Sequence, residues 1–162
     1  MPCANTFGQV GAFKPDRAPD SVRSVAPKEV HADRAFLNDL SSSLPKEPPA
    51  GAFIYPMVVR HSDEDINRHA NHSKYGTFFE DAKNSLAESK HPLAGVAARD
   101  LTTISVEYNK EARAGELCEI HVSQSDGRPD ELDFHMIRVS GGAEGIITRG
   151  KAVVPPAAGA KL

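Results

Sequence analysis

The chain is poor in the features that mark several functional classes. Its two cysteines, Cys3 and Cys118, are too few for a disulfide framework and suit a reducing compartment. Basic residues are in no excess: 19 Lys and Arg against 22 Asp and Glu give a formal charge of -3. No global positive field is there to draw nucleic acid, so no nucleic-acid partner is expected. No apolar run approaches the roughly 18 residues a helix needs to cross a bilayer, so no membrane span is expected. What remains is 162 residues at 40% hydrophobic and 25% charged, the make-up of one ordinary domain with a single core.

Proline is unevenly spread. Residues 1–50 hold seven of the twelve, at positions 2, 15, 19, 27, 45, 48 and 49. That density reads as a flexible arm over residues 1–50, with a short helix around residues 27–40 whose apolar positions are Val30, Phe36, Leu37 and Leu40. Acidic Asp16, Asp20, Glu29, Asp33 and Asp39 argue against a transit peptide. The folded domain is expected over residues 51–156, with a flexible tail at 157–162.

From Phe53 the pattern is regular. Phe53, Tyr55, Met57 and Val59 alternate with a second, mostly apolar set, which reads as a buried strand ending at Arg60, and Pro56 places it at a sheet edge or bulge. Tyr75, Phe78, Phe79, Ala82 and Leu86 then recur at helical spacing, predicting a helix near residues 73–89 before Pro92. Four further strands are expected at residues 101–108, 116–123, 131–140 and 145–154. The turns Ala114-Gly115, Asp126-Gly127 and Gly141-Gly142 between them suit antiparallel hairpins. Strand, helix, then four strands predicts an α+β domain, an antiparallel sheet wrapped around a central helix.

Between the first strand and the helix lies HSDEDINRHANHSKY, residues 61–75, with three acids, three histidines and two asparagines. Such a stretch is a solvated turn, a metal site or an acid/base centre at a helix mouth. No two histidines have the spacing of H-E-x-x-H and Cys118 is remote, so neither metal nor cofactor is expected. Asp63 and Glu64 read as solvated turn residues, His61 and His72 as local hydrogen-bond partners. Glu80 reads as an acid on an exposed helix face or as half of a salt link with Lys83 at i+3.

The run VVRHSDEDINRHANHSKYGTFFEDA resembles the hotdog-fold thioesterases of the 4-hydroxybenzoyl-CoA thioesterase-like group, in which a strand ending in V-R leads through an acidic segment to the central helix. The likeness is greatest to plant-type acyl-ACP thioesterases. Their acid-Asn-His motif D-x-N-x-H reads here as Asp65, Asn67 and His69, and their L-E-Y-x-x-E-C segment reads as VEYNKEA, placing Glu111 on the catalytic acid. Ala112 stands where those enzymes carry cysteine, and Asn71-His72 where the wider group has Asn-Asn. The resemblance spans roughly residues 52–155 and implies one hotdog unit, where the plant enzymes have two. A homodimer or higher oligomer is therefore expected, unless the chain is a piece of a two-unit protein.

The resemblance implies hydrolysis of a fatty acyl thioester carried by CoA or by acyl carrier protein. Asp65 would be base or nucleophile, Asn67 would orient water or thioester, His69 would relay a proton, and Glu111 would be the second acid. Unpaired N–H groups at the helix start near Ser73 would face the developing oxyanion, and Tyr75, Phe78 and Phe79 would line the acyl pocket while serving as core. A hotdog hydratase-type lyase is the nearest alternative, but its D-x-N-P-x-H motif has a proline and a spacing missing here. A noncatalytic acyl-binding protein is the other. The final Ala160-Lys161-Leu162 resembles a peroxisomal import signal, which in a eukaryotic source would favour CoA as carrier; otherwise a cytoplasmic location is expected.

Overall fold

A computed structural model of the chain describes residues 42–139 and 145–155. The helix expected around residues 27–40, most of the proline-rich arm, the Gly141-Gly142 turn and the terminal Ala160-Lys161-Leu162 lie outside them. In the described part, strands β1 (Phe53–Val58), β2 (Thr103–Tyr108), β3 (Leu117–Gln124), β4 (Glu131–Arg138) and β5 (Gly145–Val153) form one antiparallel sheet in the order β1-β3-β4-β5-β2. Helix α1 (His72–Ala87) packs on one face of it, followed by the single turn α2 (Ala94–Ala97). This is the α+β arrangement expected from the sequence.

Helix α1 forms where its apolar spacing places it. Tyr75, Phe78, Phe79, Ala82 and Leu86 are all buried, and they meet Ile120, Val122, Leu132, Phe134 and Met136 from β3 and β4. Asn71 caps its start, accepting from the Ser73 N–H at 3.0 Å. At its end the Ser89 hydroxyl donates to the Leu86 carbonyl at 2.7 Å, and Pro92 follows. Phe79 is packed closely, its ring stacked on Phe134 with centroids 5.0 Å apart. Opposite it on β5 is Gly150, where a Cβ would overlap the Phe79 ring, so only glycine lets helix and sheet approach this closely.

Among the described residues, strand β1 pairs only with β3 and is an edge, which accommodates Pro56 opposite Glu119. It is buried on one face, not both: Phe53, Tyr55 and Met57 turn inward while Ile54 and Val58 are 48% and 52% exposed. The second apolar set therefore faces away from the core.

One turn is not what the sequence suggested. Asp126-Gly127 does close a hairpin between β3 and β4, with Gly127 at φ 67°. Ala114-Gly115 does not, because β2 pairs with β5 at one edge of the sheet and the chain crosses past β5 and β4 to reach β3. Gly115, at φ 87°, instead turns a corner whose N–H donates to the Val59 carbonyl at 2.8 Å. A left-handed glycine serves a corner as readily as a hairpin, and local sequence does not distinguish them.

The arm's described end touches the domain. Leu44 is buried, and the Pro45 carbonyl accepts from His135 Nε2 at 2.8 Å on β4. Burial holds the His135 ring below the usual histidine range.

Candidate active site

Two loops meet at the N-terminus of α1. The first, residues 59–71, is shaped by its own polar groups. The Asp65 N–H donates to the His69 carbonyl at 2.9 Å, and the Arg68 N–H donates to the Asp65 carbonyl at 3.0 Å. Arg68 is left-handed at φ 60°, and Glu64 and Ala70 bridge in antiparallel register behind it. This is a tight turn followed by a left-handed residue, a place glycine usually takes. The Asp65 side chain stiffens it, Oδ1 accepting from the Asn67 N–H at 2.8 Å. The tip residue Ile66 is 96% exposed.

The second loop, residues 109–116, carries Glu111 past the end of β2. Ala112, fully buried, is pinned from both sides: its carbonyl accepts from the Ala70 N–H at 2.8 Å, and its N–H donates to the Tyr75 hydroxyl at 3.2 Å. Asn109 and Lys110 donate to the Ile147 carbonyl of β5. Arg138, at the end of β4, donates to the Glu111 carbonyl and pairs with Glu116 at 2.9 Å.

Two residues that read as solvated are in fact fasteners. Asp63 is only 8% exposed and its carboxylate accepts from the Arg60 N–H at 2.9 Å. Glu64 reaches across 50 residues to accept from the Ala114 N–H at 2.9 Å, and that bond holds its carboxyl below the usual carboxylate range. Both side chains bond backbone that would otherwise lack a partner, which removes them from the solvent face.

The junction encloses a cavity of about 130 Å³ lined by Asp65, Asn67, His69, Ala70, His72, Tyr75, Lys110 and Glu111. The four residues singled out as catalytic thus surround one space. His69 Nε2 lies 3.0 Å from Glu111 Oε2, joining the loops across 42 positions, and 3.2 Å from Arg113 Nη2. These contacts need different hydrogens on Nε2: a protonated Nε2 donates to Glu111, and only a bare one accepts from Arg113. The ring therefore sits between a carboxylate that accepts a hydrogen bond and a guanidinium that donates one.

The residues expected to bind substrate are dispersed. Tyr75 lines the cavity with its ring buried, and burial raises its hydroxyl above the usual tyrosine range. Phe78 lines a separate cleft of about 440 Å³ with Tyr55, Met57, Arg60, Lys74 and Asp81 beside the β1 edge. Phe79 belongs to the closed core. Ser73 is not among the lining residues, and both its N–H and its hydroxyl donate to Asn71 Oδ1, at 3.0 and 2.8 Å. The Ser73 N–H is therefore not the free oxyanion donor expected; its own cap takes it.

His72 and Lys110 join the cavity wall, the first resting against Tyr108 with ring centroids 4.4 Å apart. A lysine beside Glu111 gives no signal of its own in the sequence. Glu80 is exposed while Lys83 is buried, so the surface pair expected of them lacks one exposed partner. Cys118 lies in the core, where burial pushes its thiol up to about 11, so it is no thiolate at neutral pH. Among the described residues no group of three or more His, Cys, Asp or Glu converges as a metal site would.

A helix on a five-stranded antiparallel sheet, with an acid-Asn-His turn at the helix mouth and a second acid from the far loop, defines a hotdog-fold thioesterase. Residues 46–149 match the family model of the acyl-ACP thioesterase C-terminal domain, and the chain belongs to that family of thioester hydrolases.

Solved structures share the fold. A mutant 4-hydroxybenzoyl-CoA thioesterase in complex with 4-hydroxybenzoyl-CoA aligns at TM-score 0.53 and 10% identity, over 64% of this chain and 82% of that one. A thioesterase-superfamily protein from Jannaschia sp. CCS1 aligns at TM-score 0.53 and 24% identity, over 65% and 70%. An acyl-ACP thioesterase from Bacteroides thetaiotaomicron aligns at 0.51 and 14%, over 68% of this chain but 40% of that one. A comparison with curated protein sequences finds no match.

Proposed function

We propose that the cavity hydrolyses fatty acyl thioesters, with acyl-CoA as the preferred carrier and acyl-ACP as the second. Water oxygen attacks the thioester carbonyl carbon, the C–S bond breaks, and the thiolate leaves and takes up a proton. Asp65 accepts the proton of the attacking water; as nucleophile instead, it would expel the thiolate to form a mixed anhydride that water then hydrolyses to free acid and Asp65. Asn67 orients the reactants, and the His69–Glu111 couple moves the proton. The observation that carries this reading is the meeting of His69 and Glu111 at 3.0 Å in the cavity that Asp65 and Asn67 also line.

In this reading the active form is a homodimer joined across a sheet edge, which pairs an open strand and closes the cleft. In a eukaryotic source the final tripeptide would direct it to peroxisomes, where CoA esters are handled; a fluorescent fusion with and without Leu162 tests that address.

The deciding experiment is a thiol-release assay across acyl-CoA chain lengths and one acyl-ACP, on wild type and Asp65→Asn. Asparagine keeps the oxygen that accepts from the Asn67 N–H, so the turn survives while the carboxylate is lost. Turnover should fall roughly 10²- to 10⁴-fold. Full activity in Asp65→Asn would reduce Asp65 to a turn former.

A further inference from the structure

The cavity's apolar wall leads outward. Six of its lining side chains are polar or charged: Asp65, Asn67, His69, His72, Lys110 and Glu111. The remaining wall is Ala70 and the ring of Tyr75, with the flat face of the His72 ring beside them. Along the helix from Tyr75 the way toward Phe79 is closed, because Phe79 is fully buried against Phe134 and leaves no room even for a Cβ at Gly150. Tyr75 itself is fixed by its bond to the Ala112 N–H.

Outward, the wall continues onto Tyr108, the last residue of β2. Its ring lies 4.4 Å from that of His72 and 5.4 Å from that of Tyr75, and its hydroxyl donates to the His72 carbonyl at 2.8 Å. Yet Tyr108 is 44% exposed. A large aromatic ring held by a hydrogen bond and two ring contacts to residues of the cavity wall, but left open on one side, is a ready surface for an apolar group. Resting on the thioesterase reading above, we infer that Tyr108 is a specificity-determining residue, the platform on which the acyl chain lies once its carbonyl is among Asp65, His69 and Glu111. The His72 and Tyr75 rings lead from the cavity to it. Acyl groups of one or two carbons are held by the cavity alone; longer ones gain by covering Tyr108.

The test has two arms, each run on wild type, Tyr108→Phe and Tyr108→Ala, with circular dichroism as the check on folding. In the hydrolysis arm, Tyr108→Ala should raise KM for octanoyl-CoA roughly tenfold while leaving acetyl-CoA kinetics close to wild type, and Tyr108→Phe should stay near wild type with both. In the binding arm, calorimetry with S-ethyl- and S-octyl-CoA thioethers, which have no ester to cleave, should show wild type favouring the octyl ligand and Tyr108→Ala losing that preference. Equal loss on short and long substrates, or a changed oligomeric state with no chain-length dependence, would overturn the platform and make Tyr108 a structural or subunit contact. If wild type prefers the octyl thioether, Tyr108→Ala loses that preference and neither cleaves a thioester, the platform stands and the hydrolase reading falls. If it cleaves octanoyl-CoA and Tyr108→Ala matches it throughout, the reverse holds.

Discussion

The core and the loop junction of this domain are held together in opposite ways. Between α1 and the sheet, stability comes from apolar contact without direction: Phe79 on Phe134, Leu86, Ile120 and Met136 at zero exposure, and one glycine where the approach is closest. At the junction almost every tie is a single directed polar bond to backbone, from Glu64 to Ala114, Tyr75 to Ala112 and Arg138 to Glu111. Burial in the first region tolerates small shifts of side chains, whereas a hydrogen bond in the second is lost within a fraction of an ångström. The difference suits the two tasks. A core needs volume filled, and a site needs a carboxylate and an imidazole kept at 3.0 Å.

Cutting a large group from each region separates the two modes. Phe79→Ala should destabilise the fold by about 3–5 kcal/mol through the cavity left between Phe134 and Gly150, measured as a lower urea midpoint, with the remaining folded enzyme still active. Arg138→Met should cost less stability, about 1–2 kcal/mol, because its ends are partly solvated, yet should lower kcat roughly tenfold by freeing the Glu111 carbonyl. Arg138→Lys should recover stability without recovering kcat, since an ammonium does not hold two acceptors in one plane.

The smallest effect belongs to Glu64. Its carboxyl sits below the usual range because it accepts from the Ala114 N–H, so the stabilisation it gives is present above the unfolded-state value and is lost as pH falls through the folded one. Glu64→Gln should therefore lower Tm by a small amount at neutral pH, with the gap to wild type closing on acidification. Melting curves at several pH values check the sign. A gap that widens in acid would mean the carboxylate is not what fastens the loops.

This contrast also explains what the sequence made legible. Helix α1, the edge position of β1 at Pro56 and all five strands follow from periodicity and proline, which report burial directly. Asp65, Asn67, His69 and Glu111 stood out through their resemblance to a family pattern, and they do surround one cavity. The fasteners did not stand out. Asp63 and Glu64 read as solvated because nothing near them in the chain reveals a partner at Arg60 or, 50 positions on, at Ala114. Ala114-Gly115 read as a hairpin because its glycine signals a left-handed residue and not where the next strand goes. Ser73 reads as an oxyanion donor because nothing in the sequence separates Asn71 as the cap that claims its N–H.

The central claim is that the two loops form one catalytic unit, and a double-mutant cycle on His69 and Glu111 tests it most directly. Turnover of an acyl-CoA would be measured for His69→Ala, Glu111→Gln and the double variant, each confirmed folded. Because one side chain acts through the other across 3.0 Å, either single change should cost nearly as much as both together. If the two losses multiply, His69 and Glu111 act independently and their meeting in the cavity is not what catalysis uses.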